Sequence, residues 1–337
     1  MNVLLTGGTG YIGSHTAVVL SQLGHQVVLY DNLFSSSDQV LKKLTQITGK
    51  KISFVKSDVR DTESLKDTIL ANQIDAVIHF AGLKAVGESV EDPVNYYANN
   101  VQGAISLLQA MQAAQVKTLV FSSSATVYGE PRYLPLDENH PASAINPYGR
   151  SKLHVEEILS DVAASNLDWR IACLRYFNPV GAHASGLIGE SPNGVPNNLM
   201  PYIAQVASGQ RAVLNIFGGD YPTQDGTGVR DYIHVMDLAE GHAAALNFLS
   251  QTNGYHVINL GTGKGYSVLE VVKAFEKASD CGVPYKIVAR RAGDVAECYA
   301  DPKKASELLS WSATRNLDDM CSSTWRFQRC HGFSVTS

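Results

Sequence analysis

Short apolar runs alternate with longer amphipathic stretches through the first half of the chain. Residues 3–5, 27–30, 52–55, 76–79, 118–121 and 171–174 have the pattern of buried strands, and stretches such as 12–23 have helical spacing. Strands that alternate with helices predict a parallel sheet covered by helices on both faces. Because the crossovers between parallel strands are right-handed, the sheet should be doubly wound, with ligands at the carboxyl ends of its strands.

The pattern changes after about Arg175. Residues 179–198 are rich in Gly, Pro and Asn and have no sustained periodicity, which is typical of a long functional loop. Shorter elements follow: a helix over 235–249, a strand over 257–260 and a helix over 267–278. We predict a first domain over 1–176 and a smaller C-terminal α/β domain over 177–337, with a segment near 234–260 returning to the first.

A glycine-rich turn stands between the first predicted strand and the first predicted helix. In the stretch TGGTGYIG at 6–13, Gly7 permits a tight turn, Gly10 lets the backbone approach a pyrophosphate, and Gly13 allows close helix–strand packing. The helix N-terminus offers N–H groups and a positive dipole end to the anion. The context predicts a Rossmann-type dinucleotide site, whereas a lone glycine motif would be weak support.

Asp31 ends the second predicted strand, roughly 20 residues beyond the glycine turn, where a carboxylate binds ribose hydroxyls. It would repel a 2′-phosphate, and the following residues 32–34 contain no arginine, so NAD is favoured over NADP. The alternative is that Asp31 is a simple turn residue. Asp58 and residues 80–84 follow the third and fourth strands at the same rim and are expected near the adenine and the pyrophosphate.

The stretch YGRSK at 148–152 places Tyr148 and Lys152 one turn apart on a predicted helix. A nearby ammonium and a positive nicotinamide would favour the phenolate and bring the tyrosine pKa towards the working range. Such spacing alone is usually a solvated helix face. It is informative here because the strand that ends in residues 121–124 should bring Ser124 to the same cleft.

Charge and composition exclude several other classes. The net charge is −5 with no basic block, which argues against a nucleic-acid or membrane-surface binder. No apolar run reaches transmembrane length and no signal peptide is visible. Five scattered cysteines indicate no disulfide framework, and the dispersed histidines indicate no metal site. These features predict a cytoplasmic protein.

Longer strings carry a specific resemblance. The chain contains HFAGLKAVGESV at 79–90, FSSSATVYG at 121–129, LRYFNPVGAH at 174–183, PNNLMPYIAQVA at 196–207 and DGTGVRDYIHVMDLA at 225–239. With the glycine turn and YGRSK, these strings resemble the UDP-glucose 4-epimerases of the extended short-chain dehydrogenase/reductase family, from Met1 to about Trp325. The resemblance implies NAD held tightly by a Rossmann domain over 1–176 and a UDP-sugar held by residues 177–337.

The resemblance also implies a mechanism. Tyr148 removes the proton from the sugar 4-hydroxyl while C4 gives its hydride to NAD, and Ser124 binds the same oxygen. The 4-keto sugar then turns and takes the hydride back on its other face. Tyr148, Lys152 and Ser124 are therefore the expected catalytic residues.

The motifs and the family resemblance together imply the ligand contacts. For NAD they are Gly7, Gly10, Tyr11, Ile12, Gly13, Asp31, Asn32, Asp58, Val59, Phe80, Ala81, Gly82, Lys84, Asn99, Ser124, Tyr148, Lys152 and Phe177. For the UDP-sugar they are Lys84, Ser124, Tyr148, Asn178, Asn198, Leu199, Asn215, Ile216, Phe217, Arg230, Tyr232, Arg291, Asp294 and Cys298. Guanidinium groups suit bidentate phosphate binding, but a structural ion pair competes for Arg230, and Arg290 fits a solvated surface position.

Cys298 departs from many glucose-specific members of the family, which carry a bulky tyrosine at the matching position near C2 of the sugar. Here Tyr299 comes one place later. A small residue would leave room for an N-acetyl group, so the enzyme is expected to interconvert UDP-GlcNAc and UDP-GalNAc as well. The competing interpretation is a small buried apolar residue, which is what most free cysteines are.

Two alternative functions, the oligomeric state and the role of the C-terminal tail remain open. A sugar-nucleotide 4,6-dehydratase or decarboxylase would need an extra acid or base, and Ala125 and Thr126 supply none. A redox-silent NAD-binding regulator should have lost part of the catalytic set, which is intact. The resemblance implies a homodimer formed through residues 93–114 and 148–165, and the tail over 325–337 departs from the usual family ending.

Overall fold

A computed structural model describes residues 1–192, 194–291 and 293–331. The strands are β1 Asn2–Thr6, β2 Gln26–Asp31, β3 Ser53–Lys56, β4 Ala76–His79, β5 Thr118–Ser124, β6 Arg170–Tyr176, β7 Asn178–Val180, β8 Leu214–Phe217, β9 Val229–His234, β10 Gly254–Leu260, β11 Gly265–Ser267, β12 Tyr285–Val288 and β13 Glu297–Cys298.

The helices are α1 Tyr11–Gln22, α2 Gln39–Thr48, α3 Thr62–Ala71, α4 Val86–Glu91, α5 Pro93–Ala113, α6 Pro147–Ser165, α7 Leu199–Ala207, α8 Val235–Leu249, α9 Val268–Ser279, α10 Lys303–Leu309 and α11 Leu317–His331. Several begin at residues that satisfy free backbone N–H groups. Helix α6, which carries Tyr148 and Lys152, begins at Pro147. The side chain of the preceding residue, Asn146, accepts a hydrogen bond from Gly149 N and caps this helix.

The large sheet has seven strands in the order β10-β6-β5-β4-β1-β2-β3, and every pairing in it is parallel. Its strands are buried on both faces: Leu5 and Ile78 belong to one apolar core, and Leu4 and Val77 to the core on the opposite face. Helices α1 and α8 pack on one side, and α3, α5 and α6 on the other. This confirms the predicted doubly wound α/β fold, in which short apolar runs are central strands.

The C-terminal part contains smaller sheets. Strands β11, β9 and β13 pair in that order with β7 alongside β9, and β8 pairs with β12. A third core lies among α7, α9 and α11. Residues 235–249 and 254–260 instead form α8 and β10, which pack on and extend the large sheet. Within the described ranges, no helix is both long and apolar enough to cross a membrane.

The predicted loop over 179–198 is mostly irregular, but its start belongs to β7 and an isolated bridge pairs Ala182 with Gly189. The divergent tail is helical to His331, as part of α11, and residues 332–337 lie outside the described residues.

Candidate active site

The turn between β1 and α1 has room only for glycine at its critical positions. Gly7 has a φ of 67°, and a Cβ there would lie 2.6 Å from Ala81 N. A Cβ on Gly13 would lie 2.5 Å from the Gly7 carbonyl oxygen. Gly10 precedes α1, whose N-terminus has no side-chain cap and no acidic residue in its first turn. The backbone N–H groups there suit a pyrophosphate.

The two residues after Gly10 have different surroundings. The hydroxyl of Tyr11 donates to the Gly181 carbonyl oxygen at 2.6 Å, so its ring reaches towards the loop that follows β7. Ile12 packs its side chain against the apolar core, which leaves its backbone for the predicted nucleotide contact.

Asp31 lies at the carboxyl end of β2, beside the glycine turn. Its carboxylate accepts hydrogen bonds from Thr9 N at 3.2 Å and from Leu33 N at 2.8 Å. The carboxylate therefore helps to shape the turn, which is the role that the alternative interpretation gave it. The same position faces the glycine loop, so the ribose contact predicted for Asp31 is compatible with this geometry.

Arg60 lies at the adenosine end of the predicted cofactor site, although residues 32–34 contain no arginine. It forms a two-point ion pair with Asp58, with Nε–Oδ1 and NH2–Oδ2 distances of 2.8 Å. Asn32 Nδ2 donates to the same carboxylate at 3.1 Å. These contacts hold the pKa of Asp58 well below its usual value, chiefly through the hydrogen bonds from Arg60. Val59 packs against Gly103: a Cβ added to that glycine would lie 2.7 Å from Val59 Cγ1.

The segment after β4 runs past the glycine turn to the catalytic helix. Phe80 N donates to the Thr6 carbonyl oxygen at 2.9 Å, which sets Phe80 and Ala81 beside the turn. A Cβ on Gly82 would lie 3.6 Å from Lys152 Nζ, so this backbone borders the predicted catalytic lysine.

Asn100 holds the segment after β4 in place, and the sequence analysis did not predict this role. The side chain is 3% exposed, accepts from Leu83 N at 2.8 Å and donates to Ser151 Oγ at 2.9 Å. Asn99 Nδ2 donates to Asn100 Oδ1 at 3.1 Å. An Asn pair in the middle of a helix was the available signal, because such residues are poor interior helix formers.

Ser124, Tyr148 and Lys152 come together at the carboxyl end of β5. Ser124 Oγ accepts from Thr126 Oγ1 at 2.9 Å, and Lys152 Nζ donates to the Ser122 carbonyl oxygen at 2.7 Å. The structure thus brings the two predicted helical residues to the predicted strand end. Burial lowers the pKa of Lys152 to about 8.

The pKa of the Tyr148 phenol is raised rather than lowered by the chain's own residues. Burial is the main cause, and a hydrogen bond with Ser124 and the charge of Lys84 offset only part of it. The sequence interpretation expected the ammonium of Lys152 to act on the phenol. Lys152 is instead engaged by the Ser122 carbonyl, with Nζ 4.9 Å from the centre of the Phe121 ring.

Glu190 joins the predicted cofactor and substrate residues and was also missed. Its Oε1 accepts from Lys84 Nζ at 2.9 Å and from Asn198 Nδ2 at 2.6 Å. Its side chain is 10% exposed. The available signal was that Glu190 is the only acidic residue in the predicted loop over 179–198.

The predicted phosphate ligands differ in their partners. Arg230 NH1 donates to the Val229 carbonyl oxygen at 2.8 Å, and within the described residues its guanidinium forms no ion pair. The neighbouring Asp231 instead accepts from Thr262 N at 2.9 Å, so the competing ion pair for Arg230 is not formed. Arg291 pairs with Asp294 at 3.0 Å.

Arg290 is half exposed and pairs with Asp220 at 2.7 Å, in agreement with the surface position expected for it. Each guanidinium lies over a different ring: Arg290 is 4.2 Å from the centre of the Tyr221 ring, and Arg291 is 5.5 Å from that of Phe217, a predicted uracil-site residue.

Strand β8 presents its predicted uracil-site residues on opposite faces. Phe217 is 44% exposed and Asn215 lies on the same side, whereas Ile216 is 1% exposed in the core. Tyr232 is also in that core and Leu199 packs against it. The side chains of Ile216 and Tyr232 therefore support the site from behind. Asn178 is exposed in β7, opposite Tyr232 in the register.

Comparisons with known proteins match nearly the whole chain. A family model described as GDP-mannose 4,6 dehydratase matches residues 4–324. The UDP-glucose 4-epimerase of Bacillus subtilis (strain 168) is 56% identical over 328 residues, covering 97% of both chains. The chain belongs to the UDP-glucose 4-epimerase family.

Solved structures of this family superpose closely. A UDP-glucose 4-epimerase from Stenotrophomonas maltophila, with bound NAD and formylated UDP-arabinopyranose, has a TM-score of 0.97 at 53% identity and covers 98% of this chain and 99% of its own. One from Bifidobacterium longum, in complex with NAD+ and UDP, has a TM-score of 0.96 at 51% identity, with the same coverage of 98% and 99%.

The two residues after Ser124 carry no carboxylic acid. Ala125 packs against an apolar cluster that contains Phe177, and the hydroxyl of Thr126 donates to Ser124. Neither side chain can serve as the carboxylic acid that elimination from the ring requires.

Cys298 is the predicted sugar-site residue of the short strand β13. It is in β13, opposite Arg230 of β9, and packs against the cluster of Phe177 and Ala125 beside Ser124. Burial raises the pKa of its thiol to about 11. Tyr299 points instead towards β11: a Cβ added to Gly265 of that strand would lie 3.3 Å from the Tyr299 ring. The tyrosine one place later therefore does not replace the missing one.

Proposed function

We propose that this protein interconverts UDP-glucose and UDP-galactose by inverting C4, with NAD retained through each cycle. The observation that carries the proposal is the joint placement of Ser124, Tyr148 and Lys152 at the end of β5, two strands from the glycine turn of β1.

The chain's residues fit NAD. Gly7, Gly10 and Gly13 keep side chains away from the N-terminus of α1, and Asp31 presents a carboxylate beside that turn. When bound, NAD supplies the acceptor and donor of the hydride from C4. Asp31 disfavours a 2′-phosphate, and Arg60 does not compensate because Asp58 already neutralises it.

Tyr148 and Ser124 handle the proton. We assign Tyr148 Oη as the base for the sugar 4-hydroxyl, with Ser124 Oγ bound to the same oxygen. The chain alone raises the pKa of this phenol, so a further positive charge next to the ring favours the phenolate. Lys152 supplies one ammonium, and its buried position makes it suited to bind the ribose of the nicotinamide.

Residues 177–337 supply the nucleotide site, and residues 1–176, with α8 and β10, supply the cofactor site. Arg230 and Arg291 are assigned to the diphosphate and ribose, with Asp294, Asn178, Asn198 and Leu199 nearby. The absence of an ion pair at Arg230 among the described residues supports this role, since its charge is available to a phosphate.

The small side chain of Cys298 supports activity on UDP-GlcNAc and UDP-GalNAc. The thiol takes less space than a tyrosine ring, and Tyr299 is turned towards β11. We therefore extend the proposal to the N-acetylated pair.

A cytoplasmic homodimer completes the proposal. Helices α5 and α6 pack together on one face of the sheet, and Val94 on α5 is 76% exposed, as a contact with a second copy would require. The cysteines of the described ranges are free, as in a reducing compartment.

The test is incubation of the purified protein with UDP-galactose and no added NAD. UDP-glucose as product, with NAD released on denaturation, is expected. A 4-keto-6-deoxy product would identify a dehydratase, and no product despite bound NAD would identify a redox-silent regulator.

A further inference from the structure

A buried carboxylate lies one turn beyond the catalytic lysine on α6. Glu156 is 3% exposed, and none of the ligand contacts described above involves it. Its Oε1 accepts from Ser123 Oγ at 2.5 Å and from Arg175 Nε at 3.0 Å. Its Oε2 accepts from Arg175 NH2 at 2.6 Å. Each carboxylate oxygen is therefore fixed by a donor from the sheet.

These donors belong to the strands that form the active site. Ser123 directly precedes Ser124 in β5, and Arg175 lies opposite Ser123 in β6. The Arg175 guanidinium lies 4.7 Å from the centre of the Tyr128 ring, which limits its movement. Helix α6 is thus tied to β5 at two successive turns, through Lys152 to the Ser122 carbonyl and through Glu156 to Ser123.

We propose that Glu156 is a positioning residue for the reaction: it holds Ser124 in register with Tyr148 and keeps Lys152 charged. The inference rests on the proposed epimerase function, because it assigns Glu156 a role through those residues. A purely structural ion pair would hold α6 on the sheet but would not affect the protonation of Lys152.

The charges around Lys152 are few. Burial lowers the pKa of Lys152, and among these charges the Glu156 carboxylate opposes that effect. His79 faces Lys152 from β4 and is neutral at ordinary pH because burial lowers its pKa to about 3. Tyr148 shares the helix with Lys152 and interacts with the charge of Lys84.

Glu156 in turn faces Arg175 and Cys173 on β6, Ser123 on β5 and Tyr255 on β10. Burial raises the pKa of both Cys173 and Tyr255, and the negative charge of Glu156 adds to the shift, so both stay uncharged. Removing the carboxylate therefore leaves Arg175 as an added positive charge and should make Lys152 lose its proton at lower pH.

The experiment measures epimerase kcat against pH for the NAD-loaded enzyme and for Glu156→Gln and Glu156→Asp. In Glu156→Gln, the pH above which kcat falls should move down by about one unit, since a nearby opposite charge typically shifts a pKa by one to three units. Turnover should fall several-fold at pH 8.5, up to the tenfold limit that a one-unit shift of a single group sets, and much less at pH 6.5. Glu156→Asp keeps the charge, so its kcat can fall while its pH profile stays that of the wild type.

Two further variants make the test decisive. Glu157→Gln changes the exposed neighbour on the same helix and should leave the pH profile unchanged. Glu156→Gln could fail to fold because it leaves Arg175 unpaired. In that case the double variant Glu156→Gln/Arg175→Met removes both charges and should fold. Its kcat should still fall at a lower pH than that of the wild type. An active wild type whose pH profile is shared by Glu156→Gln, or by the double variant, overturns the inference. An inactive wild type would instead overturn the proposed function.

Discussion

Lys152 Nζ donates to the carbonyl oxygen of Ser122, two residues before the proposed catalytic Ser124, at 2.7 Å. This contact fixes the catalytic helix against the strand that delivers Ser124. In the chain alone, the charge of Lys84 lowers the pKa of the Tyr148 phenol, but burial raises it by more. The ammonium of Lys152 is committed to a backbone oxygen.

Replacing Tyr148 with Phe should lower turnover of UDP-galactose by two or more orders of magnitude, as expected for loss of a general base. The measurement is kcat with NAD content determined in the same sample. Tyr285→Phe, at an exposed position of β12, is the matched control. Near-normal turnover in Tyr148→Phe would move the base to Ser124 or to a water.

Asp31→Ala should weaken binding of NAD relative to NADP. The carboxylate repels a 2′-phosphate and offers acceptors to ribose hydroxyls, and Arg60 cannot take over phosphate binding while Asp58 holds it. Cofactor titration into protein stripped of nucleotide measures the preference. Asp38→Ala, at an exposed position ahead of α2, should not change it. An unchanged preference in Asp31→Ala would remove the residue from its assigned role.

Gly13→Ala should release NAD and destabilise the fold. The added Cβ would lie 2.5 Å from the Gly7 carbonyl oxygen, and overpacking of this kind costs roughly 1–3 kcal/mol. Nucleotide content and thermal unfolding report the two effects. Gly87→Ala, where no atom lies within 4 Å of the new Cβ, is the control. Retention of NAD by Gly13→Ala at wild-type stability would contradict the close packing of the turn.

Cys298→Tyr should reduce turnover of UDP-GalNAc at least tenfold and leave turnover of UDP-galactose much less affected. A tyrosine ring would project towards the cluster next to Ser124, where the N-acetyl group needs space. Cys298→Ser preserves the size and should retain both activities. A wild type that does not turn over UDP-GalNAc would refute the wide-pocket hypothesis.

Stability should fall as the pH drops below about 6.5. Burial lowers the pKa of His79 to about 3 and that of His242 to about 4, whereas in the unfolded chain both titrate near 6.5. Between these values the unfolded chain takes up protons that the folded protein excludes. Each such histidine therefore removes up to about 1.4 kcal/mol per pH unit.

Denaturant unfolding at pH 7.5, 6.0 and 5.0 measures this slope. His79→Gln should reduce it by about one proton, even if the variant is less stable at pH 7.5. His154→Gln changes an exposed histidine and should leave the slope as it is. Equal slopes for His79→Gln and the wild type would show that His79 accepts a proton in the folded protein.

The seven parallel strands and the helix of Tyr148 were predictable because their signals are local. A central strand must be apolar on both sides, and a helix must repeat its buried positions every three to four residues. The glycine turn was predictable for the same reason, since a φ of 67° at Gly7 and the close approach of Gly13 are requirements of the backbone itself.

The partners of charged groups could not be predicted in this way. Glu190 pairs with Lys84 and Glu156 with Arg175, but sequence spacing does not say which carboxylate meets which cation when strands and loops fold together. In the chain alone the pKa of Tyr148 is raised, and the spacing to Lys152 could not reveal this because spacing carries no information on burial or on the Ser122 carbonyl.

The sequence by itself determined the fold class, the glycine turn, and the presence of Ser124, Tyr148 and Lys152 on a strand end and one helix face. Only the tertiary structure decided that Arg230 has no ion pair among the described residues, that Tyr299 faces away from Cys298, and that Glu156 ties α6 to β5. The physical reason is the distance along the chain over which each effect acts. Backbone geometry and periodic burial act over a few residues, whereas charge pairing and pocket width depend on atoms that the fold brings together from distant parts of the chain.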